Sequence, residues 1–248
     1  MLPKYCLSDL TIVKNSCVSE RMVDSVPAQV IIAAWNEEEG IGPTIAELIR
    51  NLGNPFVLVV DGKSTDRTAK IAKTMGAEVV FQDGFGKGDA LRKAIEHLDL
   101  GVDYVVITDA DYTYPARYVP EMIKILKENP GVGMVCGNRF NGQVDKRAMR
   151  DVFYLGNRLI AFTHNMLNGV PLRDPLTGLR VVRAKILRNW KVKSKGFDIE
   201  VELNHQVERE GFGIVELPIQ YRARLGTKKL GLKHSAEILV RILLETTC

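Results

Sequence analysis

The chain is poor in several features that would place it in other classes. Its four cysteines, Cys6, Cys17, Cys136 and Cys248, form no CxxC pair. That argues against a disulfide framework or a thiolate metal set, and for reduced thiols in a cytosolic setting. No apolar run approaches the ~20 residues needed to span a bilayer. The first twenty residues carry Lys4 and Lys14 without a long apolar stretch, so they do not read as a signal peptide. A formal net charge of +4 is too mild to nominate nucleic acid, though it suits anionic ligands such as phosphates or a membrane surface. His164, His205 and His234 lie far apart without ligand spacing and read as structural or surface residues. There is no repeat and no low-complexity tract.

What remains is an ordinary globular composition, 46% apolar and 26% charged over 248 residues. It predicts a packed core and one large domain, or a domain with a small appendage. Residues 1–26 match nothing around them and are expected to be a weakly ordered extension, with Met22 a candidate initiator just before the first clear strand. From there, short apolar segments alternate with helical stripes. Strands are expected at Gln29–Ala34, Phe56–Val60, Glu78–Phe81, Tyr104–Thr108 and Val132–Cys136, and helices at Thr44–Leu52, Asp66–Met75, Gly86–Leu98 and Tyr118–Lys127. Ser64 or Thr65 is placed to cap the second helix. Further on come a long helical segment at Arg147–Asn168, a turn and strand at Asp174–Val182, a helix at Asp198–Arg209, a strand at Ile214–Tyr221, a basic loop at Arg222–Lys233 and a closing helix at Ser235–Thr246. This alternation predicts an α/β fold with a mostly parallel sheet covered on both faces. Ligands in such sheets gather beyond the carboxyl ends of strands.

Acidic and polar residues fall at three of those strand ends: Asn36 and Glu37, Asp61, and the pair Asp109 and Asp111. Carboxylates two apart in an extended segment point the same way. Asp109 and Asp111 can jointly hold a hard divalent cation, Mg²⁺ or Mn²⁺, although a solvated acidic turn gives the same pattern. Asp61 suits a base N–H or a ribose hydroxyl, and equally a turn before Gly62. Glu37 carries the same ambiguity beside Glu38 and Glu39. Gly62-Lys63-Ser64 lacks the first glycine of a P-loop, since Val57 stands there. Gly84-Phe85-Gly86-Lys87-Gly88 lacks the last glycine of GxGxxG, since Asp89 replaces it. That stretch still lets backbone or Lys87 approach a phosphate.

Together these stretches resemble the family 2 glycosyltransferases of the GT-A fold, and within them the dolichyl-phosphate mannose and glucose synthases. VIIAAWNEEEGI is similar to the first strand and nucleotide loop, with Ala34 and Trp35 where Pro and Tyr are usual; VVDGKSTDRTAKIA is similar to VDDGSTDxT; FGKGDALRKAI is similar to the GxGxA turn; VVITDADYTYP is similar to the DxD site. Thr113 stands where many members carry a Gln ligand. GNRF (Gly137–Phe140), DPLTGLRVVR with Asp174, Thr177 and Arg180, and YRARLGTKKL continue the likeness to about residue 232, with Arg150 and Asn157 at polar positions of the helix between.

The resemblance implies an inverting transfer of a hexose from a nucleotide sugar to a polyprenyl (dolichyl-type) phosphate. GDP-mannose, UDP-glucose and UDP-N-acetylglucosamine all remain open as donors, with mannose or glucose favoured. It implies metal at Asp109 and Asp111, and donor contacts from Ala34, Trp35, Glu37, Asp61, Lys87, Asp109 and Lys229. Acceptor-phosphate contacts fall to Arg139, Arg150 and Arg180, and Arg224 joins Asp109, Asp111, Arg139 and Arg180 in catalysis. An anionic acceptor needs no strong general base, only cations that align it. Arg, a planar and permanently charged fork, suits that task. Trp35 is left open between stacking on a nucleobase and packing in the core. Asp198, Glu200 and Glu202 open a helix, where placement at its N-terminus explains them as well as a sugar contact does. Gly226 and Gly231 would let the basic loop move, with Lys229 meeting the leaving diphosphate.

The expected organisation is an extension at 1–26, a catalytic domain at 27–221, and a basic loop with a C-terminal amphipathic helix at 222–248. The helices Val152–Leu167 and Ile238–Leu244 could lie at a bilayer interface or simply pack on the core. The expected location is therefore cytoplasmic and peripheral to a membrane, with a membrane-anchoring partner subunit as an alternative attachment. The rival enzymes are a glycosyltransferase acting on a soluble or glycan hydroxyl, which needs Asp174 or Asp198 as base, and a sugar-nucleotide pyrophosphorylase. The second is disfavoured because its Gly-rich basic loop is replaced by Asn36-Glu37-Glu38-Glu39. A non-catalytic binding module is the remaining class.

Overall fold

A computed structural model describes residues 28–140, 165, 172–227, 229 and 232–246 of the chain. Seven strands form one sheet in the order β3-β2-β1-β4-β6-β5-β7. They are β1 (Ala28–Ala34), β2 (Phe56–Asp61), β3 (Glu78–Phe81), β4 (Tyr104–Asp109), β5 (Val132–Asn138), β6 (Arg180–Arg183) and β7 (Gly213–Pro218). The helices among the described residues are α1 (Ile41–Leu52), α2 (Thr68–Thr74), α3 (Lys87–Glu96), α4 (Val119–Glu128), α5 (Ala184–Arg188), α6 (Ile199–Arg209) and α7 (Leu232–Thr246). The long helix expected at Arg147–Asn168 lies outside the described residues apart from Asn165, whose side-chain amide grips both backbone groups of Leu172.

The centre of the sheet is parallel: β1 pairs with β2 and β4, and β2 with β3. β6 runs antiparallel between β4 and β5, and β7 closes the edge parallel to β5. Alternate residues of each strand serve opposite faces, as the pleat requires. Val30, Ile32, Val57, Val59 and Val106 join Ile41, Ile45, Leu48, Met122 and Leu126 in one core layer. Ile31, Leu58, Val60, Val105 and Ile107 join Ala90, Leu91, Ala94, Leu187, Ile199 and Leu203 in the other. Burial on both faces is why β1 reads as a near-continuous apolar run. A smaller cluster of Val201, Ile238 and Ile242 seats α7 against α6.

The parallel register brings the ends of β1, β2 and β4 to one edge, pairing Ala34 with Asp61 and Ala33 with Asp109. One local expectation is corrected. Neither Ser64 nor Thr65 caps α2; Asp66 accepts from the Thr68 N–H instead. The Ser64 hydroxyl accepts from the Asn36 N–H and the Thr68 hydroxyl from the Glu37 N–H, so these side chains tie the loop after β1 to the loop after β2. Buried loop N–H groups need acceptors, and here that demand outweighs helix capping.

Candidate active site

Asp109 ends β4, and Asp111 follows in the turn. Lys87, the first residue of α3, places Nζ 2.6 Å from Asp109 Oδ1 and 2.7 Å from Glu200 Oε1 of α6. Burial opposes the charge on Lys87, but Asp109 and Glu200 hold it well above the ordinary lysine range. The Asp109 carboxyl stays below its usual range: burial would raise it, and Lys87 reverses that. Asp111 moves the other way, raised by burial and by the negative charge of Asp109. Its Oδ1 accepts from the Thr113 hydroxyl at 2.6 Å, and Arg224 Nη1 lies 3.0 Å from its Oδ2. Thr113 is thus turned onto Asp111.

The turn is strained and tightly enclosed. Tyr112 has φ 67°, unfavourable for a bulky side chain. The Arg222 guanidinium covers its ring at 4.3 Å and forks onto Glu47 of α1. Gly178 lies so close that a Cβ would collide with the Asp109 carboxylate, and a Cβ on Gly40 would strike the Ala110 carbonyl. At these two positions only glycine fits, because the 109–111 turn passes directly over them.

The segment after β7 lies across this turn. Leu225 N donates to Asp111 O at 3.1 Å and Arg222 N to Thr113 O at 3.0 Å. Its cations converge on Glu37: Arg224 pairs with Oε1, and Lys229 Nζ reaches the same oxygen and the Asn36 carbonyl, each at 2.6 Å. Burial raises the Glu37 carboxyl despite those two cations. Lys229 also stands 5.9 Å from the centre of the Trp35 ring. Trp35 is 52% exposed, which removes core packing as its role. Ala34 is buried and offers its carbonyl to Gly62 N. Asp61 is buried; its Oδ1 accepts from Ser64 N at 2.7 Å, while its Oδ2 has no partner among the described residues. Glu37 Oε2 and Glu200 Oε2 are buried and unpartnered in the same sense. Three buried carboxylate oxygens without a partner among the described residues are open to further hydrogen-bond donors.

On the other side, Arg139 follows β5 and forks onto Asp174, with Nε to Oδ2 at 2.7 Å and Nη2 to Oδ1 at 2.6 Å. Its guanidinium lies 5.4 Å from the Tyr221 ring and contributes positive field at Asp109. Burial opposes its charge, yet Asp174 keeps it firmly protonated. Arg180 does not join it. It is 1% exposed, and its donors are spent on Thr177 O, Pro175 O and Asn204 Oδ1. The expectation that Arg180 meets a phosphate is therefore corrected: it braces the 175–180 turn from within. Asp174 is likewise not a free base. It is 1% exposed and accepts three bonds from Arg139. Asp198 is held by Arg241 and Gly196 N, and Glu202 by Trp190 and the 193–194 backbone. Arg150 lies outside the described residues. Sequence reasoning missed the sharing of Lys87 between Asp109 and Glu200; the only signal was an acid in the first turn of a helix.

Asp109 and Asp111 fit a hard divalent cation by donor chemistry, two carboxylates of one turn in which burial and then the charge of Asp109 raise Asp111. No group of three His, Cys, Asp or Glu is gathered among the described residues. An ion here would complete its shell with ligand or water oxygens, as Mg²⁺ commonly does.

The model of glycosyl transferase family 2 matches residues 29–190.

The chain belongs to glycosyl transferase family 2.

This family 2 glycosyltransferase is 35% identical over 204 residues to a dolichyl-phosphate hexose transferase of Haloferax volcanii, covering 81% of this chain and 85% of that one. It is 34% identical over 195 residues to glycosyltransferase AglJ of the same organism, covering 79% of this chain and 63% of that one. The fold matches crystal structures of glucosyl-3-phosphoglycerate synthase from Mycobacterium tuberculosis. The complex of that enzyme with Mn²⁺, UDP and phosphoglyceric acid superposes with a TM-score of 0.70 at 22% identity, covering 89% of this chain and 78% of that one. Its complex with Mg²⁺ and UDP gives 0.71 at 23% identity, covering 90% and 80%. The expected GT-A glycosyltransferase fold and transferase activity therefore hold for this chain. No helix among the described residues is long and apolar enough to cross a membrane.

Proposed function

We propose that this glycosyltransferase moves a hexose, mannose or glucose, from GDP-mannose or UDP-glucose to a polyprenyl phosphate of the dolichyl type, inverting the anomeric carbon in one displacement. The observation that carries this reading is that both carboxylates a hydroxyl acceptor would need as base are consumed. Asp174 takes the Arg139 fork, and Asp198 accepts one bond from Arg241 Nε at 3.0 Å. A cleft with an anchored guanidinium, in which neither of these two candidate bases is free, suits a nucleophile that is already an anion. The dolichyl-phosphate hexose transferase among the relatives supports the same acceptor class.

In this reading the orphaned oxygens of Asp61 and Glu37 take the nucleoside's N–H or O–H donors, and Trp35 offers its exposed indole face to the base. Asp109 and Asp111 hold Mg²⁺ or Mn²⁺, either of which, when bound, neutralises charge on the departing diphosphate. Lys87 stands beside Asp109 and Lys229 beside Glu37, and both can follow the same phosphates. Arg139 orients the acceptor phosphate with the part of its fork that Asp174 leaves free. Glu200 Oε2 faces the hexose hydroxyls. Membrane contact falls to α7, whose Leu239, Val240 and Leu243 are exposed while Ile238 and Ile242 are buried. The protein then works at the cytosolic face of a membrane, directly or beside an anchoring subunit.

Purified protein with labelled GDP-mannose or UDP-glucose and Mg²⁺ or Mn²⁺ should label a short-chain dolichyl phosphate, and NMR of the product should show an inverted linkage. Transfer to a glycan hydroxyl or to phosphoglyceric acid, with none to the lipid phosphate, would sink the acceptor assignment.

A further inference from the structure

Arg139 is aimed by Asp174, but Asp174 sits in a loop and must itself be held. The 172–174 segment enters the site without strand pairing, so its N–H groups depend on side chains. Two consecutive ones, Arg173 N and Asp174 N, donate to a single carboxylate. Glu216 of β7 accepts them at 2.9 Å through Oε2 and at 2.7 Å through Oε1. β7 pairs with β5 in the register Cys136 to Glu216 and Asn138 to Pro218. Arg139 is the residue after the end of β5. The carboxylate and the guanidinium are therefore carried on adjacent strands of one rigid sheet, and the loop bridging them bears Asp174. The bridge closes on itself, since Arg139 N and Nε both donate to Asp174 Oδ2 and Nη2 to Oδ1.

We propose that Glu216 is a positioning residue for the acceptor phosphate: by clamping the Arg173 and Asp174 amides it fixes the Asp174 carboxylate, and through it the direction of the Arg139 guanidinium. This rests on the reading of Arg139 as the acceptor-phosphate cation. A carboxylate spanning two successive amides restricts the backbone on either side of Arg173, directly before Asp174, which one hydrogen bond would not do. Gln at the position keeps one acceptor and turns an NH₂ group toward the other N–H. Asp keeps the charge but falls one methylene short.

The test is a double-mutant cycle on steady-state kinetics, with a nucleotide sugar as donor and a short-chain dolichyl phosphate as acceptor. E216Q should raise the acceptor KM about tenfold. The donor KM and the nucleotide Kd should stay within about twofold. In the R139A background, E216Q should add no further increase. E216D should fall between wild type and E216Q, and it carries the test should E216Q fail to fold. Equal rises in both KM values overturn the proposal, as does an E216Q effect of the same size in the R139A background. If R139A raises the acceptor KM and neither Glu216 variant does, the positioning role alone falls. If R139A leaves the acceptor KM unchanged, the assignment of Arg139 falls, and the role of Glu216 falls with it.

Discussion

The two sides of the cleft are built differently. On the side proposed to hold the nucleotide, Asp61 and Asp109 are the last residues of parallel strands, so their positions follow from the sheet itself. On the side proposed to hold the acceptor, Arg139 is bonded to Asp174, thirty-five residues away, and Asp174 to Glu216 beyond it. Strand ends are rigid because core packing on both faces holds them. A guanidinium on a flexible stem is rigid only when its partners are. The nucleotide side therefore tolerates loss of single side chains without moving. The acceptor side behaves as a relay in which each member depends on the next.

That contrast can be attacked directly. The largest effect is expected from Asp109→Ala or Asp111→Ala, which should cut turnover by about 10³-fold. The circular dichroism spectrum should be unchanged, because the strand does not need the carboxylate. Unfolding of Asp109→Ala would show that its pair with Lys87 is structural, and unfolding of Asp111→Ala that its contacts with Thr113 and Arg224 are. Next comes Arg180→Met, which takes the charged donor from Asn204 Oδ1 and the Thr177 carbonyl inside the protein, leaves Pro175 O with Asn204 Nδ2 alone, and should cost about 3 kcal/mol of stability. A chemical denaturation midpoint measures it; the fraction still folded should keep its acceptor KM, unlike a true phosphate ligand. Arg139→Ala should lower kcat/KM for the lipid phosphate by about 50-fold while calorimetry finds the nucleotide affinity intact. A matching loss of nucleotide binding would merge the two sides into one. The smallest effect belongs to the exposed face of α7. Leu243→Ser should weaken binding to anionic vesicles by about fivefold. The melting temperature should barely move, because Ile238 and Ile242 hold the helix.

Much of the first side was legible from the chain alone. Apolar runs ending in Asp61, and in Asp109 with Asp111, declare strand ends in a doubly covered sheet, and their convergence follows from parallel topology. Only Ser64 misled there, because a hydroxyl near a helix start serves a neighbouring loop as easily as the helix. The second side was legible as a set of cations but not as a device. Arg139 and Arg180 stand in similar motifs, and nothing local tells which one faces the cleft. Glu216 interrupts the apolar strand Ile214–Leu217, a faint sign of a carboxylate with a buried task.

By itself, then, the order of residues determined the strands, the helices that cover them, the acidic edge and the family. The first three rest on periodicity and strand ends, which are local properties, and the family on the likeness of its ordered motifs. The tertiary structure alone decided that Arg180 turns inward, that Lys87 is shared by Asp109 and Glu200, and that Arg224 crosses a separation of 187 residues to meet Glu37. A long cationic side chain has several low-energy directions, and only the carbonyls and carboxylates folded around it choose among them.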